Sequence, residues 1–202
     1  MARRGSYAKG IAKREEILTA ALDVIARNGY RRTSVRELAD AVGLSQAGLL
    51  HYFSSKEELF QEIVRKRDEV DTAVYGPDLA DRAIDSLTAL VAHNTQVPGL
   101  VQLYAQVSTE AAGDPDHPSH AFFVERYANI REEFARFIRT EQAAGRIGED
   151  IDPEATAALI VAATDGLQTQ WMLDPSFDMV AHLEQLWKLI TRSSSSGSEP
   201  VD

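Results

Sequence analysis

The sequence predicts an all-α protein, in which an N-terminal three-helix domain is followed by a larger C-terminal helical domain. Three observations predict this fold. Apolar residues recur at spacings of three and four along most of the chain, helix-capping patterns precede several of these stretches, and no alternating β pattern of useful length occurs. A chain of 202 residues, 44% of them hydrophobic, is long enough to bury a core.

Charge divides the chain near residue 56. The whole sequence has 21 basic and 31 acidic side chains, a formal charge of −10. Residues 1–56 hold ten basic and five acidic side chains, whereas the remainder holds 11 and 26. We therefore predict a basic domain over 1–56, an acidic domain over 57–192 and a disordered low-complexity tail over 193–202. Only the first domain suits a polyanion, although a solvated basic surface without a partner is the alternative.

Several classes of protein are disfavoured by what the sequence lacks. Without cysteine there is no disulfide, thiolate zinc site or cysteine nucleophile. No apolar run approaches the roughly 20 residues of a membrane span, and the basic start leads into no apolar signal segment, so we expect a cytoplasmic protein without a membrane partner. No phosphate-binding glycine loop, His-Glu-x-x-His or Gly-x-Ser-x-Gly motif occurs, so we expect no enzyme, cofactor or metal.

The basic domain is predicted to contain three short helices. The first spans 13–28 with an apolar stripe, and Gly29 suits the left-handed position after its end. Ser34 followed by Glu37 is a capping box that begins the second helix. Ser45 can cap a third helix that runs to residue 53. A fourth helix, from about 55 to 74, leads out of the domain.

The second and third helices form a candidate helix-turn-helix. Gly43 lies in the short turn between them, where a residue without Cβ lets the chain reverse at positive φ. The third helix could then enter the major groove of DNA, where base edges are distinguishable. A helical hairpin without a nucleic-acid partner is the alternative. The residues facing outward from this helix are Gln46, Ala47, Gly48 and His51.

This segment resembles the N-terminal domain of the tetracycline-repressor (TetR) family of bacterial transcription regulators, over about residues 11–60. The resemblance implies a homodimer that binds double-stranded operator DNA and responds to a small-molecule effector. The residues that carry it are Thr33-Ser34-Val35-Arg36-Glu37-Leu38-Ala39, Val42-Gly43-Leu44-Ser45, Leu49, Tyr52-Phe53 and Ser55-Lys56-Glu57-Glu58-Leu59.

The resemblance also implies roles for single residues. Hydroxyls at the start of the second helix, Tyr52 and Lys56 would bind phosphates, and the third helix would face base edges. Arg3 and Arg4 would lie on a flexible arm that reaches a minor groove. Many members have Tyr where this chain has Leu50, so one phosphate contact is absent. The full predicted set is Thr33, Ser34, Arg36, Ser45, Gln46, Ala47, Gly48, His51, Tyr52 and Lys56.

After the helix over about 55–74, five further helices are predicted. They span about 80–95, a segment that begins at 98, and then 119–144, 153–172 and 177–191. The helix over 153–172 is rich in small residues, which let helices approach closely. With the last helix it could form half of a four-helix bundle across a two-fold axis. The stretch 151–154 and the Asp165-Gly166-Leu167 run resemble the first dimerisation helix of TetR members. An intramolecular helix pair is the alternative. The predicted interface residues are Ala158, Ala162, Leu183, Leu186, Trp187 and Ile190.

An effector pocket is predicted among the central helices, because apolar walls with a few polar groups suit a small, largely apolar ligand. Ordinary core packing is the alternative for each of these residues. A group of Asp114, Asp116, His117 and His120 suggests a metal, but capping of a helix start accounts for it better. The predicted pocket residues are Leu90, His93, Asn94, Tyr104, Phe123, Tyr127, Gln168, Trp171 and Met172.

Taken together, these patterns predict a homodimeric DNA-binding regulator, a repressor released from a palindromic operator by its ligand. Release would follow from tighter ligand binding by a state whose recognition helices fit DNA poorly. One alternative is an all-α small-molecule-binding protein or enzyme that uses the N-terminal hairpin as scaffold. Another is an activator or nucleoid-type DNA binder without an effector.

Overall fold

The computed structural model describes residues 2–75 and 79–192, so the predicted tail over 193–202 lies outside the described residues. Every regular element within those two ranges is helical, which confirms the all-α prediction. A short 3₁₀ helix, Tyr30–Arg32, accompanies the α-helices. These are α1 (Ala2–Asn28), α2 (Val35–Ala41), α3 (Gln46–Leu50), α4 (Lys56–Tyr75), α5 (Leu79–Asn94), α6 (Pro98–Gly113), α7 (His120–Ala143), α8 (Pro153–Leu173) and α9 (Met179–Arg192).

The chain divides into two compact packing units. The first comprises Met1–Asp71 with Gln96–Phe123, and the second comprises Thr72–Thr95 with Val124–Asp202. Helix α6 therefore packs with the N-terminal helices. The functional division into 1–56 and 57–192 stays a prediction.

The core of the first unit begins with the apolar stripe of α1. Ile17, Leu18, Ala21 and Ile25 are all buried, as the spacing of three and four predicts. Helices α2 and α6 and the 3₁₀ helix pack against α1, and α3 packs against α2. The short α2 thus takes its stability from packing on α1, and α3 takes its stability from packing on α2, because isolated helices of such length are marginal in water.

Two helix bounds in this unit differ from the sequence expectation. Helix α1 begins at Ala2 rather than near residue 13, so the predicted flexible arm at Arg3 and Arg4 is helical. Alanine, arginine and lysine propagate a helix that is already nucleated over 13–28. Helix α3 ends at Leu50 rather than residue 53, because the amide of Tyr52 bonds back to Leu49 in a tighter turn.

The second unit is held by contacts of α9 with both α5 and α8. Helix α8 begins as predicted, with the carboxylate of Asp152 accepting from the amide of Ala155 at 2.8 Å and Pro153 at the first helical position. The loop before it is fixed by Gln142, whose side-chain amide donates to the carbonyls of Gly148 and Ile151, each at 2.8 Å.

Candidate DNA-binding site

The start of α2 is closed by the predicted capping box. The hydroxyl of Ser34 accepts from the amide of Glu37 at 3.2 Å, and the Glu37 carboxylate accepts from the amide of Ser34 at 2.6 Å. Ser34 remains exposed. The exposed guanidinium of Arg36 lies 3.9 Å from the carboxylate of Asp40, one helical turn on. The contact is long and both groups are in water, so Arg36 can leave it for an anion.

The turn into α3 has the geometry that its sequence requires. Gly43 adopts φ of 68°, which an L side chain rarely tolerates. The hydroxyl of Ser45 then accepts from the amide of Gly48 at 3.0 Å and caps the helix. Leu49 is fully buried, which fixes the rotation of α3. Gln46, Ala47 and His51 are exposed, and Ala47 and His51 lie on the side of the helix opposite Leu49.

Two residues of the predicted DNA-binding set, Thr33 and Gly48, do not lie on the exposed surface. Thr33 is buried, and its hydroxyl donates to the carbonyl of Gly29 at 2.9 Å, so the structure places this hydroxyl in the support of α2 and not on the exposed surface. Gly48 is half-buried, and a Cβ at this position would lie 3.2 Å from the Ser45 hydroxyl oxygen. A side chain here would therefore point toward the cap of α3, which leaves Gln46, Ala47 and His51 as the outward residues of the predicted set.

Tyr52 and Lys56 lie beside this face. Tyr52 is half-buried, with its ring edge-on to that of His51 at 6.0 Å between centroids. Lys56 is exposed at the first position of α4, and its Nζ lies 5.4 Å from the centroid of the Phe60 ring. The hydroxyl of Ser55 accepts from the amide of Glu58 at 3.1 Å, so a capped helix start presents the Lys56 ammonium to solvent.

Two basic residues of the segment that the charge pattern assigned to a polyanion make hydrogen bonds within the protein. On α1, the Nζ of Lys13 donates to the carbonyl of Val42 at 3.2 Å, and the guanidinium of Arg14 donates to the carbonyl of Tyr52. Arg14 also pairs with Glu58 on α4 at 3.0 Å. These partners are 29 to 44 residues away along the chain, so no local pattern signals them.

The predicted pocket residues are distributed over both units. In the first unit, the rings of Tyr104 and Phe123 lie 6.0 Å apart between centroids. In the second, His93 lies 5.9 Å from the ring of Tyr75, and Asn94 is buried. Leu90, Gln168 and Met172 are half-buried, and Trp171 is buried.

One polar contact marks the second unit. The hydroxyl of Tyr127 on α7 donates to a carboxylate oxygen of Asp165 on α8 at 2.6 Å. Both residues are half-buried. Sequence reasoning named Tyr127 as a pocket residue but used Asp165 only as part of a family motif.

The predicted interface residues on α8 and α9 have different exposures. Leu183 is 3% exposed and belongs to the core of its own subunit. Trp187 is half-buried against Phe137, at 5.6 Å between ring centroids. Ala158, Leu186 and Ile190 are half-buried and Ala162 is exposed. The large exposed apolar side chains on these helices include Leu159 and Leu189, at 65% and 55%, which the sequence did not single out.

Three of the four candidate metal ligands, Asp114, His117 and His120, make local hydrogen bonds with their side chains. The Asp114 carboxylate accepts from the amide of Asp116 at 2.9 Å, and Nδ1 of His117 accepts from the amide of Ser119 at 3.1 Å. Nδ1 of His120 lies 2.8 Å from the carbonyl oxygen of Ala111. Among the described residues, no group of three or more such side chains could hold a metal ion. Over 2–75 and 79–192, no helix combines the length and the apolar character of a membrane span.

Comparison with known proteins identifies the family. Residues 17–63 match the family model described as "Bacterial regulatory proteins, tetR family", and residues 80–192 match "BetI-type transcriptional repressor, C-terminal". The chain belongs to the TetR family. It is thus a helix-turn-helix transcriptional regulator, as the resemblance over residues 11–60 predicted.

Curated relatives of this TetR-family chain are regulators too. It is 26% identical over 159 residues to the transcriptional regulator UidR of Escherichia coli (strain K12), a match that covers 76% of this chain and 79% of the relative. It is 26% identical over 156 residues to the transcriptional repressor Rv1474c of Mycobacterium tuberculosis (strain ATCC 25618 / H37Rv), covering 77% and 80%.

Solved structures agree on the fold. A putative transcriptional regulator from Saccharomonospora viridis, crystallised in complex with choline, is 26% identical, with a TM-score of 0.68 over 89% of this TetR-family chain and 95% of that one. A putative TetR-family regulator from Rhodococcus sp. is 24% identical, with a TM-score of 0.67 over 89% and 98%.

Proposed function

We propose that this TetR-family regulator binds a palindromic DNA operator as a homodimer, represses transcription there, and is released by a small effector. One observation carries the DNA-binding part. The capped helix α3 is rotated by its buried Leu49 so that Gln46, Ala47 and His51 face solvent, with the exposed cations Arg36 and Lys56 on the neighbouring helices. An amide and a methyl group suit base edges, and flanking cations suit phosphates.

We propose a separate role for each residue of the predicted DNA-binding set. Ser34, Arg36, Tyr52 and Lys56 hold phosphates, and the amide groups at the start of α2 assist. Gln46, Ala47 and His51 read bases, with Ser45 capping the helix that carries them. Thr33 supports the start of α2 through its bond to Gly29, and Gly48 leaves room for the capping hydroxyl of Ser45.

The proposed dimer joins α8 and α9 of two subunits. Leu159, Ala162 and Leu189 leave apolar surface exposed on these helices, and Ala158, Leu186, Trp187 and Ile190 are partly accessible beside them. Burying such a patch against a second copy removes it from water. A dimer also explains a palindromic site, since two recognition helices about 34–36 Å apart meet successive major grooves.

The effector is proposed to be small and largely apolar, with one polar anchor at the Tyr127–Asp165 pair in the second unit. Leu90, His93, Gln168, Trp171 and Met172 are the further wall candidates there, and Asn94, Tyr104 and Phe123 stay predicted pocket residues. The similar Saccharomonospora viridis regulator was crystallised with choline, so choline is the first compound to test. A half-buried carboxylate would offset the charge of such a cation.

We propose that the protein catalyses no reaction and acts in the cytoplasm, where its DNA partner lies. One alternative is a binding protein or enzyme on the same scaffold, and another is an activator or a DNA binder without an effector. A DNA-binding experiment separates them. Binding of the DNA upstream of its own gene is measured at several salt concentrations, with and without choline. Lys56→Ala should flatten the slope of log affinity against log salt by about one unit.

Arg131→Ala is the control, because Arg131 is an exposed cation on α7 in the other unit and outside α8 and α9, and it should leave the slope unchanged. Absence of sequence-selective binding by the wild type would overturn the proposal. Release by choline that is lost in Asp165→Asn would support the anchor, and no release would remove choline as the effector while leaving DNA binding intact.

A further inference from the structure

We infer that Lys13 and Arg14 are positioning residues for DNA recognition: they hold the segments that precede and follow α3 and do not contact DNA themselves. The inference rests on the proposed DNA binding. It concerns a cation pair that composition alone would assign to phosphate contacts.

The side chains of Lys13 and Arg14 each donate a hydrogen bond to a backbone carbonyl, one before and one after the recognition helix α3; we call these two hydrogen bonds ties. Lys13 reaches the carbonyl of Val42 at 3.2 Å, at the turn before α3, and Arg14 reaches the carbonyl of Tyr52, just after α3 ends. Both donors are adjacent residues of α1, whose apolar stripe is buried in the core of the unit. The end of α2 and the segment that follows α3 are thus both bonded to one long helix, and the short α3 lies between these two points.

Arg14 is fixed more firmly than one bond requires. Its guanidinium lies 3.0 Å from Glu58 and 3.3 Å from Glu62, both on α4, and its Cζ lies 4.3 Å from the centroid of the Phe53 ring. Glu58 in turn accepts from the amide of Ser54 at 2.5 Å. A single planar cation therefore joins α1, the end of α3 and the start of α4, an arrangement for which Lys is a poor substitute.

These two cations are poorly placed to bind phosphate. Lys13 pairs with Glu16 at 2.7 Å, and Arg14 faces two carboxylates, which repel a phosphate that approaches it. The side chains of Lys13 and Arg14 are 25% and 30% exposed, against 82% for Arg36. Their contribution to DNA affinity would come through the orientation of Gln46, Ala47 and His51.

A tilt of α3 misaligns base contacts but leaves exposed phosphate-binding cations available. Loss of a tie should therefore weaken specific binding and spare non-specific binding, which is almost wholly electrostatic. A lost phosphate contact has a different signature, since it weakens binding to every sequence and lowers the salt slope.

The test compares Arg14→Met and Lys13→Met with Lys56→Met, because methionine keeps much of the length and removes the charge. Binding to a duplex that the wild type selects from a random-sequence pool, and to an unrelated duplex of equal length, is measured across a salt series. Arg14→Met should bind the selected duplex at least about tenfold more weakly than the wild type does, because one good base contact contributes about that factor to affinity. Its salt slope should equal that of the wild type on both duplexes. Lys56→Met should lower both slopes by about one unit.

Two results would overturn the inference: a salt slope lowered by Arg14→Met as much as by Lys56→Met, or an unchanged ratio of specific to non-specific affinity. If Arg14→Met does not fold by circular dichroism, Lys13→Met decides, because it removes one tie and leaves the Arg14 ion pairs in place. Arg14→Lys should have a ratio of specific to non-specific affinity between those of Arg14→Met and the wild type. Failure of the wild type to enrich any sequence would instead refute the proposed function, so the two failures are distinguishable.

Discussion

Gly99, at the start of α6, lies so close to Ile25 on α1 that no side chain fits between them. A Cβ on Gly99 would overlap the carbonyl oxygen of Ile25 and would lie 2.8 Å from the Cα of Gly29. These neighbours are backbone atoms that have little freedom to move. Helices α1 and α6 therefore meet backbone to backbone, and α6 packs on the same helix whose Lys13 and Arg14 bond the segments before and after α3.

Gly99→Ala should destabilise the protein by about 2 kcal/mol or more, because the methyl group must push two helices apart. Chemical denaturation measures the change in the free energy of unfolding. Gly113→Ala, at the other end of α6, is the control: a Cβ there meets nothing within 4 Å, so its effect should stay within about 1 kcal/mol. Equal stability of the two variants would contradict this account of the α1–α6 contact.

Gln46→Ala should relax the base preference at one position of each half-site and cost about 1–3 kcal/mol on the preferred sequence, since a glutamine amide can bond an adenine at two atoms. Selection from a random-sequence pool, run in parallel on wild type and variant, measures the preference. An unchanged selected sequence would show that Gln46 does not read a base. Gln102→Ala, a half-buried glutamine on α6, should leave the preference as it is.

The stability of the first unit should fall as the solution is acidified. Burial alone would raise the pKa of Glu58, but the hydrogen bonds from Ser54 and the ion pair with Arg14 outweigh it and hold the pKa below its ordinary value. A carboxyl whose pKa is lowered by folding contributes stability above its unfolded pKa, about 4.3, and loses it as the pH falls through the folded value.

Urea denaturation between about pH 3 and pH 6 measures this dependence. Glu58→Gln should be less stable than the wild type at pH 6 and should lose less stability on acidification. Glu149→Gln, at an exposed loop position, is the control and should retain the difference in stability between pH 6 and pH 3. A Glu58→Gln profile parallel to that of the wild type would refute the role given to this carboxylate.

Leu159→Arg should convert the proposed dimer to monomers, because it places a charge in an apolar patch that the partner would cover in that dimer. Analytical ultracentrifugation across a range of concentrations measures the dissociation constant. Val74→Arg is the matched control, since Val74 is 63% exposed at the end of α4, outside α8 and α9. A variant that stays dimeric at the wild-type concentration would place the interface elsewhere.

Local patterns predicted much of this molecule. The apolar stripe of α1, the capping box of Ser34 and Glu37, and the cap at Ser45 all involve residues within one or two helical turns, so spacing reveals them. The same holds for the exposed Ala47 and His51, because a buried Leu49 determines the opposite face of a short helix.

What the sequence by itself determined was therefore the helical class, the capped starts of α2, α3 and α8, and the presence of a helix-turn-helix. Only the tertiary structure decided which cations remain accessible. Lys13 and Arg14 count as positive charge in any composition, yet the fold directs them to the carbonyls of Val42 and Tyr52. Likewise Thr33 and Leu183 are buried although their positions suggested contact surfaces. The physical reason is that burial and long-range hydrogen bonds depend on which distant segments pack together, and residue spacing carries no record of that.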